Sequence, residues 1–280
     1  MTVDPDDGTL SSSQVRWGFL ETGFKIVFFA ALPLTFITWL LAVIGGRTDF
    51  IPLPVVIGSA AVVGVLWLVS IPLWIVVDRH RAKNERVKAE IHAVRDARGW
   101  EYRIRVEEWE RGWTLAPLSR VANVVVSPCA VGVHAGITFG VGYLEGDLTL
   151  GGTEVRAFQT RIAVADVGVQ LPAVTFLVED FRERLAAAVT GDDLDVESDE
   201  FNRHWRVKTP DPFGAHGLLT PRLIELLIDE RSKGLAIQCD GTRVVIWDDA
   251  RAGTADAEDR LELLQGFVER LPGFAKRRQA

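Results

Sequence analysis

The densest run of reactive side chains in this 280-residue chain is ESDEFNRHWRVKT, Glu197–Thr209. It holds three carboxylates, an amide, two guanidiniums, an imidazole and an amine. Such a set suits two kinds of chemistry. His204, or His216 a little further on, is a candidate general base, which needs a proton donor within hydrogen-bond reach. Asp193, Asp195, Glu197 and Asp199 alternate as oxygen ligands do in a calcium loop. The calcium pattern fails at two places, because Ser198 stands where the sharp turn needs glycine and His204 where the loop needs a bidentate glutamate. The acidic run therefore reads as a solvated approach loop. Neither histidine has a nucleophile at a recognisable spacing, so each reads as structural.

The chain has no GxxxxGK[ST] phosphate loop, GxGxxG turn, GxSxG elbow or HExxH pair. Gly140, Gly142 and Gly146 are wrongly spaced for a dinucleotide loop and fit strand bends. Cys129 and Cys239 are the two cysteines, far apart and in no CxxC pattern, and read as reduced residues of a core or strand. No catalytic residue, cofactor or metal ligand is assigned.

The element that must position the polar run reads as a strand. Alternation places Phe201, Arg203, Trp205 and Val207 on one face and Asn202, His204, Arg206 and Lys208 on the other. Arg203 is the exception on the apolar face, and if buried it needs a carboxylate such as Glu197, Asp199 or Glu200.

Upstream, two apolar blocks, Phe24–Gly46 and Ile51–Val77, contain one charge between them, Lys25. Each meets the roughly 20 apolar residues that an α-helix needs to cross a bilayer core. Acidic Asp4, Asp6 and Asp7 at the start argue against a cleaved export signal. Residues 1–23 read as an N-terminal cytoplasmic tail, 24–77 as a transmembrane hairpin with spans of about 24–46 and 51–77, and 78–98 as a basic juxtamembrane helix. Residues 99–280 read as a cytoplasmic α+β domain. Seven basic residues among 79–98, against one in the Arg47–Phe50 link, place both termini in the cytoplasm of a bacterial cell. Arg79, Arg81, Lys83, Arg86 and Lys88 are the candidates for contact with anionic lipid. Residues 99–280 carry 29 Asp/Glu against 21 Lys/Arg, a balance that excludes nucleic acid as a partner.

Val87, Ile91 and Val94 form a narrow apolar stripe on the basic helix, suited to the domain or to a second copy. His80 and His92 share that helix without a phospho-acceptor pattern. From Trp100 the runs become short and β-rich. Val121–Leu144 has no formal charge, with Gly132, Gly136 and Gly140 four apart; strands are favoured there, a third span being the alternative. EDFRERLAAAV, Glu179–Val189, suggests a short amphipathic helix ended by Gly191. Thr220 and Pro221 mark a helix start, Asp240-Gly241 a hairpin, and Leu261, Leu264, Val268 and Leu271 the stripe of a closing helix. Strands first and helices mixed in later mean an α+β fold, a two-helix membrane hairpin followed by a β-rich domain with amphipathic helices.

Several short motifs carry a resemblance: the two spans, Arg98-Gly99-Trp100, VQLPAV, ESDEFNRHWRV, LLTPRLIELL and ERLPGF. Together they resemble an uncharacterised bacterial membrane-protein family, common in actinobacteria and known as a domain of unknown function. The resemblance implies a membrane hairpin carrying a cytoplasmic α+β domain. It makes Phe201, Asn202, Arg203, Trp205 and Pro221 a shared structural hallmark, and it brings no activity with it. The expected role is a non-enzymatic domain tethered at the inner membrane that binds lipid, a protein partner or itself. The alternative is a membrane-proximal enzyme using polar residues around His204 and His216.

Overall fold

The computed structural model describes residues 12–45, 53–150, 154–178, 192–194, 196–229, 232, 234–248 and 256–273. Gln14–Arg86 forms one compact unit and the chain from Val87 onward the body of another. In the first, α1 (Ser12–Gly45) and α2 (Leu53–Arg98) carry the apolar blocks. Thr22–Ile44 and a stretch beginning at Ile57 are long and apolar enough to cross a membrane. The helix α1 begins well before the apolar block, so residues 12–23 are already helical. Phe28 meets Trp67 edge-on at 6.0 Å, and the Trp67 indole donates to Thr35 Oγ1 at 3.1 Å. Phe19, Phe29, Phe36, Leu68 and Trp74 point outward, the reverse of a soluble helix pair.

The second unit is α+β. Among the described residues nine strands form one antiparallel sheet: β1 (Glu101–Arg103), β2 (Val121–His134), β3 (Ile137–Leu150), β4 (Glu154–Asp166), β5 (Val174–Val178), β6 (Asp192–Leu194), β7 (Trp205–Thr209), β8 (Leu235–Asp240) and β9 (Arg243–Asp248). Their order is β1-β2-β3-β4-β9-β8-β5-β7-β6. The third-span alternative is overturned, since Val121–Leu144 supplies β2 and half of β3, paired from Val121↔Leu148 to His134↔Ile137. Of the glycines at four-residue spacing, Gly132 and Gly140 mark close approaches to the sheet and Gly136, at φ +79°, makes the β2–β3 turn, so they form no helix-packing face. A Cβ on Gly132 would overlap the Trp100 ring, and one on Gly140 the Trp109 ring. The Asp240-Gly241 hairpin forms as expected, with Asp240↔Arg243 as its closing pair and Gly241 at φ +63°.

Both sheet faces are buried, each by a different kind of cover. Val244 and Ile246 of β9 face the helices, while Val245 and Trp247 face the segment 104–120. On the helical side lie α6 (Ala257–Glu269), with Leu261, Leu264 and Phe267 fully buried, and the last turns of α2. Val87, Ile91 and Val94 belong to that core, so the stripe on the basic helix packs on its own domain. Asp256 and Asp259 start α6 with a reciprocal capping box. On the other side, buried Asp240 accepts from Thr114 Oγ1 at 2.6 Å and from the Thr114 and Leu115 amides, which holds the 104–120 segment down. Arg243 stacks on Trp113 at 4.2 Å and donates to the carbonyls of Glu108 and Arg111.

Candidate functional site

Three short helices follow the acidic run: α3 (Asp199–His204), α4 (Pro212–Leu218) and α5 (Pro221–Ile228). Each begins at a capping side chain. Ser198 Oγ accepts from the Phe201 amide at 3.3 Å, Asp211 from Gly214 at 3.0 Å and Thr220 from Leu223 at 3.3 Å. Pro221 follows Thr220 at the first helical position, as the sequence indicates.

The strand expected over 201–208 is corrected by this arrangement. Residues 199–204 are helical, and the strand starts only at Trp205. Asp199 and Glu200 in the first turn and Arg203 and His204 in the last match the helix dipole, and with the Ser198 cap they favour the turn. Phe201, Trp205 and Val207 are buried as expected, but Arg203 is exposed. Its guanidinium reaches back to the Asp199 carbonyl at 3.3 Å, so the carboxylate partner expected for a buried arginine is not required. His204 is exposed too, with Nδ1 2.9 Å from the Glu200 carbonyl.

Asn202 and Trp205 build a wall. The Asn202 amide closes a two-way clamp on Val196, donating to its carbonyl at 2.6 Å and accepting from its amide at 3.1 Å. The Trp205 indole donates to the Leu227 carbonyl at 2.7 Å and so ties the end of α5 to β7, while its ring meets Phe176 edge-on. Leu223 and Leu227 anchor the inner face of α5. What these ties leave open is a groove of about 640 Å³. Its apolar floor is Val196, Leu219, Pro221, Ile224 and Ile228, and Glu197, Ser198, Glu200, His216 and Glu225 stand around it.

The structure therefore brings Glu197 and His216 together and leaves His204 outside. Ser198, the one hydroxyl in the lining, is engaged as the α3 cap. Among the described residues no cluster of three His, Cys, Asp or Glu is placed to hold a metal ion. Glu225, Ile224 and Ile228 escape a reading of single motifs. Their signal is a second i,i+4 apolar pair, Ile224/Ile228, beside the core pair Leu223/Leu227 on the same short helix.

Of the lipid-contact candidates, all on α2, Arg79, Arg86 and Lys88 are exposed and Lys83 is half-buried. The Arg81 side chain and the helix expected over 179–189 lie outside what is described. His92 stacks on Tyr102 at 4.6 Å. Both thiols are buried, and burial, with Glu110 second, pushes Cys129 up to about 12. Burial raises Cys239 as well.

No protein-family model matches this chain, and no curated protein matches it. Among solved structures, the mycobacterial trehalose monomycolate transport factor A is similar over 67% of this chain and 95% of its own, at 12% identity and a TM-score of 0.46. A likeness of that size carries no functional argument.

Proposed function

We propose that this protein is a membrane-tethered binding module: a two-span anchor in the bacterial inner membrane with both termini cytoplasmic, presenting the groove beside α5 to a partner. The carrying observation is the groove itself, whose apolar floor is held open by Asn202, Trp205 and the Thr220 cap. An apolar floor with polar groups around it is the usual form of a binding site. The anchor rests on two helices of spanning length, and the orientation on the basic excess after the second span. The basic residues from Arg79 to Lys88 suit anionic lipid at the inner leaflet. Membership of the actinobacterial-type family belongs to the same proposal.

The test is photocrosslinking of the full chain in its membrane, with benzoylphenylalanine at Ile224. A covalent protein adduct is expected there and not at Arg203, which is exposed and does not line the groove. Adducts of equal yield at both positions, or none at Ile224, overturn the reading. A reporter fused to the C-terminus should read cytoplasm; an external signal overturns the orientation.

One observation favours a second reading, acid–base chemistry, because His216 shares the groove with Glu197. Loss of a cellular phenotype in a folded His216→Gln variant that still crosslinks its partner would favour chemistry over binding.

A further inference from the structure

The groove's charge specifies its partner. Building on the proposed binding site, we infer that the occupant is a basic, amphipathic protein segment that lays an apolar stripe on Ile224 and Ile228 and pairs its Lys or Arg side chains with Glu197, Glu200 and Glu225.

Four observations carry this. First, the three carboxylates and the apolar floor line the same groove. Among the described residues none of the three is held in an ion pair, and all are exposed. Second, the opposite flank of α5 is acidic as well. A depression of about 230 Å³ there is lined by Asp229, Asp259, Glu262 and Glu269 with a single cation, Arg270. The carboxylates of Glu197, Glu200 and Glu225 around the apolar floor disfavour anionic headgroups and nucleic acid there and favour cationic segments. Third, an eight-residue helix is about 12 Å long, so the floor matches about two turns of an apolar stripe read at i, i+3 and i+4. Fourth, this chain's basic helix cannot supply the stripe from a second copy, because its own Val87, Ile91 and Val94 are buried in the domain core. Its first acidic residues, Asp4, Asp6 and Asp7, have the wrong sign. Neither of these two segments fits, so a separate protein of complementary charge is the proposed occupant, and the chain's own basic end, Lys276, Arg277 and Arg278, is the alternative that the experiment must exclude.

The experiment measures fluorescence anisotropy of a labelled Leu/Lys amphipathic helix against the full chain in phosphatidylcholine nanodiscs, with empty discs subtracted. A Leu/Glu helix of the same pattern is the control. The Leu/Lys probe should bind, the Leu/Glu probe should not, and rising salt should weaken binding. Glu197→Gln/Glu200→Gln/Glu225→Gln should weaken it at least tenfold, and Ile224→Asp should abolish it. Absence of Leu/Lys binding, equal binding of both probes, or an unchanged triple variant would overturn the basic partner. In those cases the groove reading stands or falls separately, on the Ile224 crosslink. Tighter probe binding in Lys276→Ser/Arg277→Ser/Arg278→Ser would also overturn it, by placing this chain's own basic end in the groove.

Discussion

Glu90 and Arg260 lie 170 residues apart in sequence, and their side chains meet at 2.6 Å. The contact joins the last turns of α2 to α6. Asp248, at the end of β9, lies 3.1 Å from Arg260 and 3.2 Å from Arg161, and Arg161 closes the ring with Glu90 at 3.4 Å. Two cations and two anions thus sit together at the sheet surface, with Asp248 fully buried and Arg260 nearly so. Burial pulls the Arg260 guanidinium below its ordinary value, and Asp248 and Glu90 oppose that pull. A buried set of this kind adds little net stability over apolar residues, but breaking it leaves charge without a counter-charge in the interior.

Arg260→Ala should therefore destabilise the domain by about 3–5 kcal/mol. The paired change Arg260→Met with Asp248→Leu should cost clearly less than the sum of the single changes. Urea unfolding monitored by tryptophan fluorescence reads both, and strict additivity would show that the ring does not act as a unit.

Trp205→Ala removes a buried ring, its edge contact with Phe176 and the hydrogen bond that holds the end of α5. The expected loss is about 3–5 kcal/mol. Because Leu227 is the acceptor, hydrogen exchange in α5 should rise well before global unfolding. Unchanged α5 protection in a folded variant would count against the wall built by Trp205.

Gly140→Ala should cost about 1–3 kcal/mol by overpacking. The added methyl would overlap the Trp109 ring and lie 2.7 Å from the Ala130 carbonyl, which is sheet backbone and cannot swing away. A thermal melt decides it, with Gly136→Asn at the β2–β3 turn as the milder comparison, since asparagine tolerates the positive φ found there.

Asp240→Ala removes the acceptor for the Thr114 and Leu115 amides and the Thr114 hydroxyl. It should cost about 1–3 kcal/mol. Limited proteolysis should then cut first within 104–120; an unchanged cleavage pattern would mean that Arg243 and Trp113 hold the segment by themselves.

Both cysteines should resist iodoacetamide at pH 8 in the folded protein and react on unfolding. The thiolate is the reactive form, and burial holds Cys129 as the thiol up to about pH 12. The linkage has a definite sign. A folded value raised above the unfolded one contributes stability that is complete below about pH 8.5 and is lost as pH rises toward 12. Cys129→Ala should flatten the alkaline side of the stability profile, while fast labelling of the native protein would show an accessible thiol.

The stretch 197–209 shows where the sequence is ambiguous. Phe201 and Trp205 are four residues apart, a spacing that puts two side chains on one side of a strand and also on one side of a helix. Both readings bury them. Arg203, two residues from each, separates the readings: a strand turns it inward and a helix turns it out. The local evidence lay in Ser198, an N-cap ahead of two acids, and that signal outweighs alternation over so short a run.

The sequence by itself determined the parts whose causes are local. Run length made two helices long enough to span a membrane, a turn dipeptide made the β8–β9 hairpin, the Thr220-Pro221 pair started α5, and a 3.6-residue period buried α6. Tertiary structure alone decided what lies between distant residues. The strand order carries β5 between β8 and β7, Glu90 meets Arg260, and Glu197, His216 and Glu225 come to surround one apolar floor. The physical reason is that helix periods, caps and turns are fixed by interactions within a few residues. Which faces meet is fixed by burial of the whole apolar surface, and that is a property of the assembled sheet and not of any segment of it.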